Sequence, residues 1–156
     1  MPVEAQDHPG VIAWPPLIFS AHTVAGGIAH WLWPVDLLPA WPARFMGALL
    51  VIVAGGLAIW AKRWLERTGT NIKPSLPTIA IVSDGPYRHT RNPMYLSLCL
   101  LHLGIALLLN GVLPALFLIP LVITLHFGVV RREERYLAGK FGADYLSYQR
   151  RVRRWF

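Results

Sequence analysis

Residues 85–101 read GPYRHTRNPMYLSLCLL: a Gly-Pro turn, Arg88, His89 and Arg91, a second proline, and then an unbroken apolar run. Pro86 and Pro93 forbid one continuous helix through the stretch, and Pro93 suits the first turn of a helix that continues through the apolar residues. Arg91 and Asn92 then stand at that helix's entrance, beside unpaired backbone N–H groups and the positive end of its dipole, where an anionic group such as a carboxylate is favoured. Basic residues placed directly against an apolar helix read as a membrane surface.

Composition supports that class. The 156 residues are 54% hydrophobic and only 15% charged, with seven tryptophans and a mean hydropathy of +0.43, too apolar for an ordinary soluble domain. The net charge of +7 does not point to nucleic acid, because the basic residues are confined to a few stretches. Cys99 is the one cysteine, so no intrachain disulfide framework exists. The opening MPVEAQDHPG lacks the basic region of a cleavable signal peptide, and the first apolar segment is expected to be retained.

The chain carries four apolar segments, giving the expectation of an all-α polytopic membrane protein in a single domain, 1–156. Asp, Glu, Lys and Arg are absent between Asp7 and Asp36, and residues 15–33 match about 30 Å of hydrocarbon at 1.5 Å per residue. Residues 45–61 form a second segment, closed by Lys62 and Arg63. The two together make an N-terminal transmembrane pair within 12–61. From Asn92 to Val130 the chain again carries no formal charge, and Asn110-Gly111 divides it into 94–109 and 112–130 as a helical hairpin. Pro114 and Pro120 are expected to kink its second arm or delay its start. Of fifteen Lys and Arg residues, all but Arg44 lie between the second and third segments or after the fourth. The positive-inside rule then places both basic regions and both termini in the cytoplasm. The 62–93 loop and the 131–156 tail meet on that side, so any site using charged groups is expected there.

Two near-identical hexapeptides, VAGGIA at 24–29 and VAGGLA at 53–58, read as a small-residue packing face between the first two helices. Neither resembles a phosphate-cradling loop, since neither comes after a strand. His22, His30, His102 and His126 fall in or beside the apolar segments. His102 and His126 lie at different depths from the Asn110-Gly111 turn, about 12 and 22 Å, which argues against a shared metal or haem and for hydrogen-bonded structural roles. No metal site is expected.

The tail RREERYLAGKFGADYLSYQRRVRRWF spaces Tyr136, Leu137, Phe141, Tyr145, Tyr148, Val152 and Trp155 at helical intervals among basic residues, and reads as an amphipathic helix at the headgroup interface. The adjacent Glu133 and Glu134 fit either a solvated salt-bridge cluster or a site.

Together, Gly85, Tyr87, Arg91, Pro93 and Tyr95, then a helical hairpin, then Glu133, Glu134, Leu137, Phe141, Gly142, Tyr145, Tyr148 and Val152 form two ordered motifs. Over residues 70–154 this resembles the isoprenylcysteine carboxyl methyltransferase family and its phospholipid methyltransferase relatives. The resemblance implies S-adenosylmethionine as methyl donor, with contacts carried over to Ile79, Ala80, Ile81, Val82, Tyr87, Asn92, Pro93, Met94, Tyr95 and Glu133. Their chemistry fits: a sulfonium cation is favoured by aromatic faces and by a carboxylate. Arg91, Glu133 and Glu134 are the implied catalytic residues, with Arg131, or its neighbour Arg132, and His126 as candidate acceptor contacts. Three positions depart from the family pattern. Asn92 and Ile79 stand where family histidines are usual, and Val129 replaces an arginine that contacts substrate in the eukaryotic enzymes.

The expected function is an integral membrane methyltransferase, in a bacterial inner membrane with its site facing the cytoplasm. Its acceptor is a lipophilic or lipid-modified molecule: an isoprenylcysteine-like carboxylate, a lipid headgroup amine or a small thiol. Besides that substrate, membrane lipids are expected as partners, with no nucleic acid. The alternatives are a non-catalytic lipid-binding or assembly protein of the same fold and an NADPH-dependent sterol reductase.

Overall fold

The computed structural model describes residues 8–71 and 76–156. These residues form α1 (Pro15–Leu32), α2 (Ala40–Arg67), a 3-10 turn (Gly85–Arg88), α3 (Pro93–Leu108), α4 (Val112–Leu116), α5 (Leu118–Leu125), a π-helical turn (His126–Val130), α6 (Arg131–Phe141) and α7 (Ala143–Arg151). Among the described residues there is no strand; an isolated bridge joins Asp36 to Gly111. Two stretches are long and apolar enough to cross a bilayer, Ala40–Arg67 and the run Val112–Phe141. Only 17% and 28% of their apolar windows are buried. Neither is therefore the core helix of a soluble domain, and their outward Leu, Ile, Val, Phe and Trp side chains call for a non-aqueous surround. At 1.5 Å per residue the second run is about 45 Å long, so its first nineteen residues already span about 30 Å and the charged part from Arg131 projects beyond the hydrocarbon. α1 has 18 residues diluted by Ser20, His22, Thr23 and His30, and α3 has 16.

Proline and glycine set the breaks. Pro15 and Pro93 open α1 and α3, where a missing N–H costs nothing. Pro120 cannot donate to the Leu116 carbonyl, and the hairpin's second arm is interrupted at Phe117. Asn110 adopts φ 54°, and its side chain pairs with Leu38, accepting the backbone N–H at 3.1 Å and donating to the carbonyl at 2.8 Å. The Asn110-Gly111 turn thereby closes the end of the bundle opposite the basic loops. His102, buried at 1% exposure, bridges the Thr23 hydroxyl and the Pro114 carbonyl, both at 2.9 Å. Hydrogen bonds at both ring nitrogens account for its burial.

Helix packing corrects the reading of the repeated hexapeptides. α2 packs on α3, while α1 packs on α3, α4 and α5. Gly26 meets Pro114 and Phe117 of the hairpin, and a Cβ on Gly27, Gly55 or Gly56 would meet nothing within 4 Å. The close helix approach instead lies at Gly47 and Gly104: a Cβ on Gly47 would sit 2.8 Å from both the Gly104 carbonyl oxygen and the Leu108 nitrogen. Sequence repetition marked small residues, but only the assembled helices decide which of them face a neighbour. Gly47→Ala must push two backbones apart and is expected to destabilise by about 1–3 kcal/mol. Gly55→Ala gains roughly 1 kcal/mol of helix propensity with no clash. Detergent melting that ranks Gly47→Ala at or above Gly55→Ala would refute this contact.

Candidate active-site cleft

The C-terminal end of α2, the segment 76–82, the 3-10 turn, the entrance of α3, and α6 and α7 converge on one cleft, which Pro9 also lines. Its volume is about 130 Å³, well above the roughly 10–15 Å³ a cavity needs to admit one water. Several local features build it. Gly85, at φ 59°, lets the turn lie against the Trp64 ring, whose atoms occupy the place a Cβ would take. The π-helical turn adds a residue per turn before α6 and so rotates α6 about its axis. It also frees the Gly128 carbonyl, which accepts the Ile12 N–H at 3.1 Å, and the missing Gly128 Cβ leaves space for the Ile12 side chain. Gly142, at φ 52°, ends α6 and starts α7. The tail is thus two helices, not one interfacial helix, and buries Tyr145, Tyr148 and Val152 against Ile81, Leu137 and Phe141.

Charge is concentrated on α6. Glu134 is 7% exposed and held by two arginines. Arg154 grips it with a fork, Nε to Oε1 at 2.9 Å and Nη2 to Oε2 at 2.7 Å, and Arg91 reaches Oε1 through Nη2 at 3.2 Å. The pairing raises the Arg154 guanidinium above its ordinary value. Backbone bonds fix the geometry: Arg91 N–H donates to the Arg153 carbonyl at 3.0 Å, and Thr90 Oγ1 and Asn92 Nδ2 donate to the Arg154 carbonyl at 3.1 and 2.9 Å. Asn92, the N-cap of α3, thus spends its amide on anchoring residues 153–154.

Glu133 differs from its neighbour. It lines the cleft, accepts the Tyr95 hydroxyl at 2.5 Å, and has no ion pair among the described residues. Burial, assisted by the charge of Glu134 and opposed by the Tyr95 bond, pushes its carboxyl from 4.5 up to about 7. Above that pH the cleft holds a carboxylate without a cation, which suits a positively charged ligand. Tyr87 and Tyr148 have phenols raised by burial, and Tyr145 is pushed up to about 12. They remain donors near neutrality, and Tyr148 gives its proton to the Tyr87 carbonyl at 2.7 Å. Because the folded chain holds the Glu133 proton more tightly than the unfolded one, this group's contribution to stability falls as pH rises from 4.5 to about 7 and levels off above. Tyr95→Phe removes the bond that lowers the carboxyl, so the Glu133 titration, followed by infrared difference spectroscopy, is expected to move above about 7. A midpoint that stays or falls contradicts the assignment.

The cleft gathers Ala80, Ile81, Val82, Tyr87, Arg91, Asn92, Pro93, Met94, Tyr95, Glu133 and Glu134. It does not gather the rest. Ile79 is 64% exposed, with its N–H on Thr70 Oγ1 at 3.0 Å. Arg131 is exposed and lies over the Phe127 ring. Arg132 donates to the Gly10 carbonyl at 2.9 Å. His126 Nδ1 accepts from the Trp155 indole at 3.3 Å, outside the lining. Val129 is fully buried among Ile18, Cys99, Leu121 and Leu125, so the family's arginine position is occupied by apolar core. Sequence reasoning missed Arg154, Tyr145 and Tyr148 as site components. The two tyrosines announced themselves as apolar spacing and as motif members without an assigned role, and Arg154 is one of several arginines in RRVRR; the signal that finds it is the buried Glu134, which needs a cation.

The phospholipid methyltransferase family model matches residues 42–144, which covers α2, the 3-10 turn, the hairpin, α6 and the start of α7. An uncharacterized protein of Haemophilus influenzae is 42% identical over 62 residues, 40% of this chain and 98% of that one. The matched segment carries the Arg91, Tyr95, Glu133 and Glu134 cluster together with the helical stretches of membrane-spanning length, and the chain belongs to the phospholipid methyltransferase family.

Proposed function

We infer that the chain is an integral membrane methyltransferase that uses S-adenosylmethionine and acts on a lipophilic or amphipathic acceptor. One observation carries the reading: a cleft-lining carboxylate, Glu133, bonded to Tyr95 and lacking a cation among the described residues, shares the cleft with Arg91, whose Nε and Nη1 are buried without a partner. A zwitterionic donor with a sulfonium and a carboxylate matches that charge pattern, so the residues present fit the cofactor. When bound, S-adenosylmethionine supplies an electrophilic methyl group on a positively charged sulfur.

The protein's part is positioning. Glu133 and the faces of Tyr87 and Tyr95 favour the cation, the entrance of α3 with Arg91 favours the carboxylate, and Ala80, Ile81, Val82 and Met94 give the cleft an apolar side that excludes water. Glu134 is engaged by two arginines and His126 by Trp155. Neither stands free as a proton acceptor. A carboxylate or thiolate acceptor attacks without a base, whereas an ammonium headgroup must first lose a proton, and Glu133 is then the cleft-lining carboxylate that no arginine engages.

Four helical crossings, with α1 and α3 tilting little in a locally thin bilayer, put the cleft and both basic regions on the cytoplasmic side. Trp31, Trp33 and Trp41, 80, 65 and 75% exposed, anchor the opposite interface. Residues 12–61 supply the N-terminal pair and 70–154 the catalytic part of one domain.

Incubation with methyl-labelled donor and extracted native lipids, followed by identification of the labelled product, tests the activity and names the acceptor. A non-catalytic lipid-binding protein shows no saturable heat with S-adenosylmethionine, and a reductase shows heat with NADPH instead; either result displaces this reading.

A further inference from the structure

Arg154 lies beyond the matched family segment and outside the cleft lining, yet it takes the carboxylate that Arg91 would otherwise hold. A planar guanidinium binds a carboxylate best through two parallel bonds. Arg154 occupies that geometry on Glu134, leaving Arg91 a single ion-pair contact through Nη2 at 3.2 Å. Arg91 Nε and Nη1 are buried without a protein partner, and the side chain is 10% exposed. Orphaned buried donors are costly, and here the cost falls on a residue that lines the cleft. Two cations share one anion, so the cluster retains a positive charge that nothing in the described residues neutralises. The carbonyls of residues 153 and 154, tied to Arg91, Thr90 and Asn92, hold Arg154 in register with Glu134.

The geometry points to Arg154 as a positioning residue that draws Glu134 away from Arg91 and so reserves Arg91 for a carboxylate-bearing ligand in the cleft. Identifying that ligand as the methyl donor rests on the function proposed above. The test has two arms, both on the full chain in detergent. Without ligand, Arg91→Gln is expected to lower the melting temperature at least twice as much in the Arg154→Gln background as in the native chain, because Glu134 then loses its last cation. Equal losses in the two backgrounds overturn the competition. By calorimetry, the native chain is expected to prefer S-adenosylmethionine over its decarboxylated form by about tenfold or more. Arg154→Gln is expected to reduce that preference to within about threefold while leaving the affinity for the decarboxylated form nearly unchanged. A merely structural role weakens both ligands alike and overturns the proposal. Arg154→Lys keeps a cation on Glu134 and is expected to preserve part of the preference; its complete loss also overturns the proposal. Absence of saturable heat with either ligand in the native chain overturns the donor reading, and the melting arm alone then decides the pairing.

Discussion

Glu133→Gln is expected to weaken S-adenosylmethionine binding in detergent micelles by roughly 10- to 150-fold, the equivalent of one charge-assisted contact of about 1.5–3 kcal/mol. The reason is that this carboxyl has no cationic partner among the described residues, so its charge is available to a bound cation. The variant keeps an acceptor for the Tyr95 hydroxyl and removes a carboxyl that burial holds at about 7. Its melting temperature at pH 8 is therefore expected to equal or exceed that of the native chain, which separates lost binding from lost fold. Donor affinity in the native chain is expected to rise with pH through the Glu133 titration, because a cation is attracted only to the ionised form. Unchanged affinity in the variant would remove Glu133 from the site.

The largest stability effect is expected at its neighbour. Glu134→Ala leaves Arg91 and Arg154 without their shared anion, and breaking a buried pair by removing one partner costs about 3–5 kcal/mol. The loss is expected as a lowered melting temperature, together with faster tryptic cleavage at Arg151–Arg154, since the side-chain tie of that segment to α6 is gone. The Lys62–Glu66 pair provides the contrast. Both side chains are more than half exposed, and Glu66→Ala is expected to change stability by less than about 0.5 kcal/mol. A Glu134→Ala chain that melts with the Glu66→Ala chain would show that the two-arginine clamp does not form.

Local signals were legible where the chemistry is local. Pro15 and Pro93 mark helix starts because proline's missing N–H is harmless only there, and Asn110-Gly111 marks the hairpin because asparagine tolerates φ 54°. The two motifs around Arg91 and Glu133 marked most of the cleft, since their glycines, prolines and aromatics are tied to specific backbone shapes. Other expectations depended on which distant segments meet. The hexapeptide glycines met no partner helix apart from Gly26, because small residues are interchangeable until helix positions are set. Arg131 and His126 looked suitably placed near the charged tail, but Arg131 stands about 200° around α6 from Glu133 and lies over the Phe127 ring, and the π-helical turn separates His126 from the cleft lining.

By itself the sequence determined the chain's apolar helical character, its breaks, the clustering of basic residues near two of them, and the carboxylate pair beyond the last long helix. Those properties arise from side-chain transfer free energies and from backbone sterics, which act within a few residues. Only the tertiary structure decided that Glu134 is neutralised while Glu133 faces the cleft without a cation, that Val129 is core, and that Arg154 shares Glu134 with Arg91. Identical carboxylates one residue apart acquire different charges and roles because an α-helix turns about 100° per residue, and the groups waiting on each side come from elsewhere in the chain: Tyr95 from α3 on one, Arg91 and Arg154 on the other.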